Sequence, residues 1–592
     1  MVGARRFLPA ERTLAIAFSV VMAGVILFTL ARLLGRAWSP SFDEAAIWLR
    51  TWDVGGRHTP LVGPHSRFGW HHPGPLLYYL FAPVLRLFGG MPSALLAGTV
   101  GIGFVAVLGL VALVARSAGA AAALVFAVAT AVLGAGFGDR LISPWNPYAI
   151  VLPFALFLVA IWLVAAGDRV AGPIAAVSGA LAGQSHLGAL FPVLILGSLG
   201  FALGELKPVP SLRRSQGRRW PVIAIALWCL LWLPPLIEQV TSGEGNISRL
   251  WRFARGIGQE PALGFKRGAL TAAPQLAFWG PWLGREPRTR LAELLPGTSW
   301  ELAAAGLPLA IALFLAIRFR DALGLRLAAL AICAFLCSVL AFGQIRGFPI
   351  EYLITWSRAV AMLVAAAPLV LLARRYAARW PDRDAGTALA LAAALALAAV
   401  PIGLRAAYAK VQLPYLSRAY QAITPLAVAA VSPAKPVLVV GIGAPFSASA
   451  EAILVELERT GRTGRMLPQF TETVGQHRIV AAGVVLPEVV LTMGEFSDKE
   501  LDTKRPKTLL GSFDPLSAAE RAEATRIRGE LEQLLRKLNR EDLVTALYFD
   551  ASWLPDVMPP DVDQAKVRRY VELVAIEEKL RWALFAVEPV GR

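Results

Sequence analysis

Long apolar runs alternate with short polar segments along the first two thirds of the chain. Thr13 to Leu30 and Met91 to Val114 carry no charged residue. At ~1.5 Å per residue, a helix of about 20 residues crosses the ~30 Å hydrocarbon core of a bilayer. The pattern therefore predicts a polytopic α-helical membrane protein with about 11 spans.

The predicted spans share an uncharged centre and polar flanks. Nine lie near residues 13–30, 91–115, 118–137, 149–166, 220–237, 300–317, 326–342, 356–373 and 386–404. The apolar run 172–204 is too long for one crossing and is interrupted by Gln184-Ser185-His186, so we expect two short crossings with a tight outer turn there. Leu76 to Phe88, with only about 13 residues, is predicted to be a horizontal or re-entrant segment.

Composition supports this class and constrains the partners. Hydrophobic residues make up 56% of the 592 positions, more than a soluble chain of this length carries. The net charge is +17, yet residues 405–592 hold 24 basic and 24 acidic residues. The whole basic excess therefore lies in the membrane part, as expected for cytoplasmic loops, and does not indicate a nucleic-acid partner.

Basic residues also predict the orientation. Arg5, Arg6 and Arg12 precede the first span, which predicts a cytoplasmic N-terminus. The resulting outer loops are residues 36–90, 241–298 and 344–355. The loop 241–298 holds eight basic and four acidic residues, and long loops follow the charge rule weakly. Its segment Arg249 to Arg255 is either an interfacial amphipathic helix meeting anionic lipid or a solvated helix resting on the bilayer.

The chain divides by composition into a transmembrane domain, residues 1–404, and an extracytoplasmic domain, residues 405–592. In the second domain, strands are predicted at Pro436 to Val440, Ile479 to Leu486 and Val489 to Met493, and a helix at Ser447 to Thr460. Residues 517–547 and 564–586 show helical periodicity. This mixture predicts an α/β or α+β domain. We expect this domain to bind an acceptor or a partner, although no single residue in it indicates which.

Chemistry-bearing residues gather at the predicted outer face, including five of the six histidines. Asp43-Glu44 follows the first span, and carboxylates suit proton removal from a hydroxyl or binding of a divalent cation. The same pair also suits the first turn of a helix. His71 and His72 suit phosphate binding, or are ordinary interfacial residues.

All but one of the remaining candidates have a structural alternative. Arg67 is a further candidate for substrate binding. Asp139 and Arg140 bind substrate or form a salt bridge in a loop. Gln184 and His186 line a site or form a polar plug between helices. Arg346 and Arg358 bind a phosphate or anchor spans at the membrane surface.

Several enzyme classes lack their motifs in this chain. The sequence holds no His-x-x-x-His or His-Glu-x-x-His metalloprotease pattern, no Gly-x-Ser-x-Gly elbow and no Walker loop. These absences argue against a zinc protease, a serine acyl transferase of that type and an ATP-driven pump.

One stretch resembles a known family. An Asp-Glu pair beyond the first span, then His72-Pro-Gly-Pro-Leu-Leu-Tyr-Tyr-Leu80 and Leu87-Phe-Gly89, is similar to the GT-C superfamily of membrane glycosyltransferases. The likeness covers roughly residues 14–200 and includes protein O-mannosyltransferases and lipid A aminoarabinose transferases. Pro73-Gly74-Pro75 departs from the adjacent prolines that these relatives tend to have.

The resemblance implies a mechanism. Such enzymes take a sugar from a polyprenyl-phosphate donor and pass it, with inversion, to a glycan, lipid or protein acceptor. An acidic residue of the first outer loop acts as base or helps to bind a divalent cation; by position this is Asp43, with Glu44 beside it. His71 and His72 occupy the place near the lipid phosphate.

The leading hypothesis is therefore such a transferase at the outer face of a bacterial plasma membrane, among membrane lipids, in cell-envelope assembly. Two alternatives remain. A transporter or flippase of lipid-linked sugars predicts functional charges near the membrane midplane and repeat symmetry. A noncatalytic envelope-assembly scaffold would keep the fold without the reaction.

Overall fold

The computed structural model describes residues 9–209, 217, 219–258, 260–290, 292–377, 387–442, 450–493, 506–549, 554–574 and 581–588. Arg5 and Arg6, which predict a cytoplasmic N-terminus, lie outside the described residues, as do residues 447–449 of the predicted helix Ser447 to Thr460. The chain forms two units. The first comprises Met1–Arg36, Thr51–Gly89 and Ser93–Gln412, and the second comprises Ala37–Arg50, Gly90–Pro92 and Leu413–Arg592.

The first unit is helical. Its helices before residue 210 are α1 (Pro9–Leu34), α3 (Leu76–Leu87), α4 (Ser93–Ala118), α5 (Ala120–Gly136), α6 (Asn146–Ala149), α7 (Val151–Ala165), α8 (Ala171–Ser185) and α9 (Leu187–Leu206); α2 (Phe42–Trp52) begins in the second unit and ends in the first. The helices of this unit after residue 210 are α10 (Arg219–Thr241), α11 (Asn246–Ala254), α12 (Gly264–Leu276), α13 (Ser299–Phe319), α14 (Ala322–Gly343), α15 (Ser357–Ala377) and α16 (Thr387–Tyr408). Two short strands, β1 (Thr289–Arg290) and β2 (Glu293–Leu294), pair antiparallel.

Nine helices within the described ranges are long and apolar enough to cross a membrane. They are Glu11–Leu34, Ser93–Ala118, Asn146–Ala165, Leu187–Leu206, Arg219–Thr241, Ser299–Phe319, Ala322–Gly343, Ser357–Ala377 and Ala388–Tyr408. The other two predicted spans are the helices α5 and α8, which have only 17 and 15 residues. The predicted fold class is confirmed: a multi-pass helical membrane protein with a C-terminal α/β region.

The centre of the helical unit is α7. Every residue of this helix is buried, and α4, α8, α9 and α15 pack against it. Its sequence is apolar on all sides, which is the pattern of a helix surrounded by other helices. Gly200 of α9 permits close approach, because a Cβ there would overlap Ile161 of α7.

The second unit contains a five-stranded sheet of order β4-β3-β5-β7-β6. Its strands are β3 (Val437–Ile442), β4 (Gly464–Arg465), β5 (Glu488–Met493), β6 (Lys507–Phe513) and β7 (Trp582–Val587). The pairs β3–β4 and β3–β5 are parallel, whereas β7 lies antiparallel to β5 and β6. Its helices are α17 (Pro414–Ala430), α18 (Glu451–Arg459), α19 (Thr471–Val474), α20 (Ala518–Lys537), α21 (Glu541–Phe549), α22 (Leu554–Val557) and α23 (Gln564–Val574).

Two sequence predictions in this unit are wrong. Ile479 to Leu486 is predicted as a strand, but only Ile479 forms an isolated parallel bridge, with Met466, and the segment then turns at Gly483, whose φ of 77° lies outside the β region. Residues 564–586 were expected to be helical throughout. The helix is described to Val574, and Trp582–Val587 is instead a strand between β5 and β6.

Candidate functional site

A small hairpin presents the His-rich stretch of the first outer loop. The N–H of Gly63 donates to the carbonyl of His72 (2.9 Å), and the N–H of His72 donates to the carbonyl of Pro64 (2.8 Å). A further bond joins the N–H of Ser66 to the carbonyl of Trp70 (2.8 Å). The hairpin places Trp70, His71 and His72 on one of its arms, where His71 forms an isolated antiparallel bridge with His65.

Asn246, the first residue of α11, fixes this hairpin. Its Oδ1 accepts from the N–H of His71, and its Nδ2 donates to the carbonyl of His71, both at 2.8 Å. Farther along α11, the ring of Phe253 lies 5.1 Å from Phe68 and 5.2 Å from Trp70. The predicted helix at Arg249 to Arg255 is therefore present, and in the helical unit it packs on the His-rich loop.

The packing of Gln184 requires a glycine at position 74, between Pro73 and Pro75. Its backbone carbonyl accepts from the N–H of Gly74 (3.1 Å), its Oε1 accepts from the N–H of Leu76 (3.3 Å), and its Nε2 donates to the carbonyl of Leu231 (2.7 Å). A Cβ at position 74 would overlap this side chain. The contacts of Gln184, which is fully buried, match the alternative in which it joins helices as a polar plug.

Two histidine rings stack beside this plug. His72 and His186 have ring centroids 5.4 Å apart, and Trp70 meets His72 edge-on at 5.2 Å. The Nδ1 of His72 accepts from the N–H of Leu187 (3.2 Å), so in the neutral ring the proton is on Nε2. We call Trp70, His71, His72, Ser185 and His186 the histidine cluster.

The histidine cluster contains polar atoms without partners. The Nδ1 of His186, the Oγ of Ser185 and the Nε1 of Trp70 are buried and have no hydrogen-bond partner within the described residues. Buried polar atoms are nearly always satisfied, so three such atoms on neighbouring residues indicate a place that a ligand or water fills.

Burial keeps both stacked imidazoles neutral. It lowers the pKa of His72 well below its usual range, with further lowering by the neighbouring His186, His71 and His65. Burial likewise lowers the pKa of His186 to about 4, against the opposing effect of a hydrogen bond to the backbone of Tyr352. At neutral pH these rings therefore offer hydrogen bonds but no charge.

This neutrality predicts acid sensitivity. His186 of the unfolded chain takes up a proton near about pH 6.5, whereas folded His186 does so only near about pH 4. Its contribution to stability is therefore complete above about pH 6.5 and declines toward about pH 4, with a loss of about 2 kcal/mol at about pH 5. Thermal unfolding of the purified chain between about pH 7.5 and about pH 5 measures this loss.

The variant His186→Asn is the control for this titration. Its amide cannot be protonated in this range, so its unfolding temperature is expected to fall less between the two pH values. An identical pH dependence in both proteins would show that His186 is not responsible.

A second polar group centres on Glu351, in a turn between α14 and α15. Its Oε1 accepts from Arg358 (2.5 Å) and its Oε2 accepts from Arg140 (3.0 Å). Arg140 also donates to both carboxylate oxygens of Glu286, at 3.2 and 3.1 Å. We call Arg140, Glu286, Glu351 and Arg358 the arginine bridge.

Charges in the arginine bridge are balanced but unequally buried. Arg358 is 4% exposed and lies over the ring of Phe137, whereas Glu286 is 73% exposed. The hydrogen bond from Arg140, opposed by burial, lowers the pKa of Glu286. Two arginines and two carboxylates leave no net charge, so the bridge by itself is a fixed structural network.

The other predicted site residues lie apart from the histidine cluster or at its edge. The guanidinium of Arg67 is exposed, 5.8 Å from the ring of Tyr352, and forms no ion pair with any residue that the structure describes. Arg346 donates to the carbonyls of Ala254 and Glu260 and thereby caps α11. Asp139 does not pair with Arg140; its Oδ1 accepts from Arg405 (2.8 Å) and from the N–H of Lys410 (3.0 Å).

Asp43 and Glu44 occupy the first turn of α2, within the second unit. Asp43 is exposed, whereas Glu44 is 9% exposed. Phe42 just before them has φ 47°, a left-handed conformation that is rare for a bulky residue and typical of constrained functional positions. The acidic first turn also fits the helix-capping alternative.

The C-terminal domain holds the other end of α2. Arg478 is 1% exposed, and its Nη2 donates to the carbonyl of Leu49 (3.3 Å). Its remaining donors bind the carboxylate of Glu458 and the carbonyl of Val474. The helix with the two carboxylates is thus anchored by residues more than 400 positions away in the sequence.

A divalent cation at Asp43-Glu44 would need further ligands. Across the described ranges, no three His, Cys, Asp or Glu side chains come close enough together to hold a metal ion. The residues present therefore do not fit a protein-built metal site, and we assign no step to a cation.

An apolar cavity lies between four helices, of which α8 and α9 meet at the histidine cluster; its lining residues are not members of that cluster. Its volume is about 320 Å³, between α7, α8, α9 and α10. The lining residues include Phe157, Ile161, Val193, Gly197, Ile225 and Trp228. Ile225 is 60% exposed, so the cavity opens at the outside of the helical unit.

Four residues of the two groups were not predicted as site residues from the sequence: Trp70, Ser185, Glu286 and Glu351. Asn246, which fixes the hairpin, was not predicted either. Trp70 is distinguished only by its place next to His71. Asn246 and Glu286 lie in the long loop 241–298, where neither periodicity nor spacing marks them. Their partners are 175 and 146 positions away, so only the folded chain reveals their roles.

No protein-family profile and no curated protein matches the chain. Among solved structures, ArnT from Cupriavidus metallidurans bound to undecaprenyl phosphate matches with a TM-score of 0.46 and 13% identity, over 83% of this chain and 96% of that one. The apo form of that ArnT matches with 0.40 and 15%, over 84% and 96%. AglB from Archaeoglobus fulgidus, in complex with an inhibitory peptide and a dolichol-phosphate, matches with 0.37 and 13%, over 82% and 69%.

Proposed function

We propose that this protein is a membrane glycosyltransferase that moves a sugar from a polyprenyl-phosphate donor to a cell-envelope acceptor. The observation that carries the proposal is the histidine cluster. It lies at the His72-Pro73-Gly74-Pro75 stretch, which the sequence resemblance associates with the lipid phosphate. The buried, unpartnered atoms of Trp70, Ser185 and His186 supply polar contacts for a ligand there.

The reaction needs a base and a stabilised leaving group. Asp43, or Glu44 beside it, takes the proton of the acceptor hydroxyl while the acceptor oxygen bonds to the anomeric carbon. The bond between that carbon and the phosphate oxygen breaks from the opposite side, so the configuration inverts. Polyprenyl phosphate leaves with the electron pair.

Hydrogen-bond donors and a nearby cation stabilise the charge that develops on the phosphate. His72 provides an Nε2–H donor, because its Nδ1 already accepts from Leu187. The guanidinium of Arg67 supplies the positive charge. It lies over the ring of Tyr352, and the backbone of Tyr352 forms a hydrogen bond with His186 of the histidine cluster. Arg140 and Arg358 are less suited to this role, since Glu286 and Glu351 already balance their charge.

The apolar cavity between α7, α8, α9 and α10 supports a lipid donor. A prenyl chain requires an apolar surface that opens to the bilayer, and this cavity has apolar walls and an exposed side. In our proposal the reaction takes place at the outer face of a bacterial plasma membrane, with a cytoplasmic N-terminus and residues 405–592 outside. Protease digestion of that domain in intact spheroplasts tests the orientation.

The variant His72→Asn tests the phosphate contact. Asparagine retains an acceptor for the N–H of Leu187 but lacks the Nε2–H donor. Since a hydrogen bond to a charged group is lost, the KM for the donor is expected to rise about tenfold. The measurement is transfer of radiolabelled sugars from a panel of undecaprenyl-phosphate hexoses and pentoses to acceptors in membrane extracts.

The matched control is His58→Asn, which removes an exposed histidine of the same loop and should leave the KM unchanged. Equal effects of the two substitutions would remove the histidine cluster from donor binding. Absence of transfer from every donor, together with movement of labelled lipid across vesicles, would instead favour the transporter.

A further inference from the structure

A second cavity lies at the other end of the helical unit. It has a volume of about 360 Å³ and is formed where α4, α13 and α15 end and α5 and α14 begin. Its wall combines charged and apolar side chains, among them Phe319, Asp321, Leu371, Arg374 and Arg375. None of these residues belongs to the histidine cluster or the arginine bridge.

The helix α15 runs from the arginine bridge to the second cavity. Arg358 of the arginine bridge is in its first turn, and Arg374 and Arg375 are in its last turn. A helix of 21 residues is about 30 Å long, which is the thickness of the hydrocarbon core. The second cavity therefore lies about one membrane thickness from the arginine bridge, at the other end of this helix.

Only one of the two arginines in the cavity has its charge matched. Arg374 donates to the carboxylate of Asp321 (3.0 Å) and to the carbonyl of Ala118 (2.8 Å). The other oxygen of Asp321 accepts from the N–H groups of Leu323 and Gly324, each at 3.1 Å, so this acid and Arg374 are fixed.

Arg375 carries the unmatched charge. It is exposed, lies 5.6 Å from the ring of Phe319, and has no ion pair in the part of the chain that the structure describes. With Arg374 and Asp321 cancelling, the cavity has a net positive charge. This charge is available to an anion.

Exposed apolar side chains are present on the same ends of α13 and α15. Ile317 is 63% exposed, Leu372 is 47% exposed and Tyr376 is 66% exposed. On the outside of membrane-spanning helices such side chains contact acyl chains. A cation at the level of the headgroups, with apolar side chains next to it, matches both halves of a phospholipid, whereas a soluble anion would use only the cation.

We propose that this cavity binds the headgroup phosphate of an anionic phospholipid. Arg375 contacts the phosphate, and Phe319 and Leu371 line the wall beside it. Basic pockets between membrane helices are known to bind anionic headgroups in this way. The proposal concerns a structural lipid and does not depend on the transfer reaction.

The test is native mass spectrometry of the purified full chain with phosphatidylglycerol. Arg375→Gln is expected to reduce the affinity about fivefold, which is the effect of one arginine near a charged membrane surface. Phosphatidylcholine should bind no more tightly to the wild type than to the variant. Added inorganic phosphate should not displace phosphatidylglycerol.

Arg318→Gln is the matched control. Arg318 is exposed in the last turn of α13, at the same end of the unit, but does not line the cavity. Unchanged affinity in this control supports the proposal. Equal losses in both variants, equal binding of phosphatidylcholine, or displacement by inorganic phosphate would each overturn it.

Discussion

Replacing Asp43 by Asn is expected to slow sugar transfer by about 10²–10⁴-fold, the usual contribution of a general base. The side chain is exposed, so the amide should leave the unfolding temperature nearly unchanged. The measurement is kcat for transfer from undecaprenyl-phosphate sugars, with the anomeric configuration of the product determined by NMR. An inverted product from the wild type is part of the expected result.

Glu44→Gln is the matched comparison, because it changes the adjacent carboxylate in the same helical turn. Glu44 is mostly buried, so its substitution should act on stability more than on kcat. Full activity of Asp43→Asn would exclude Asp43 as the base. A loss of kcat confined to Glu44→Gln, with an unchanged unfolding temperature, would assign the base to Glu44.

Glu351→Gln is expected to destabilise the helical unit by about 3 kcal/mol. The substitution removes the only carboxylate that the structure pairs with Arg358, a guanidinium that is 4% exposed within the described bundle. Breaking a buried pair is costly because the remaining charge stays in an environment of low polarity. Thermal unfolding followed by tryptophan fluorescence measures the loss as an unfolding temperature lower by a few degrees.

The control is Glu286→Gln, which affects the same arginine bridge from its exposed side. Glu286 is 73% exposed, and Arg140 still forms an ion pair with Glu351 in this variant. The free energy of unfolding is therefore expected to fall by less than about 1 kcal/mol. If both substitutions lowered the unfolding temperature equally, Glu351 would not be the principal counter-ion of Arg358.

The membrane fold was predictable because lipid imposes a simple rule. A segment that crosses must be long and apolar, and each predicted crossing is indeed a helix. The lengths of the crossings were harder to predict. The helices α5 and α8 are shorter than a usual crossing, and neighbouring helices rather than lipid surround much of them. The C-terminal domain was harder, because a short apolar run such as Trp582–Val587 has no period that separates helix from strand.

Several residues of the histidine cluster and the arginine bridge were singled out from the sequence, but their grouping was not. Residue types and loop positions drew attention to His72, His186 and Arg140. They did not reveal that Arg140 pairs with Glu286 and Glu351 instead of its neighbour Asp139, because each partner comes from a different loop. Nor does composition tell a charged histidine from a neutral one; only the burial of His186 decides that.

The shortness of α8 has a consequence for the depth of the histidine cluster. Fifteen residues span about 22 Å, about 8 Å less than a typical hydrocarbon core. Helices rather than lipid surround most of α8, so the bilayer need not thin to match its length. Ser185 ends α8 and His186 follows it, so the turn that carries these two residues of the histidine cluster is set back from the membrane surface by this difference in length.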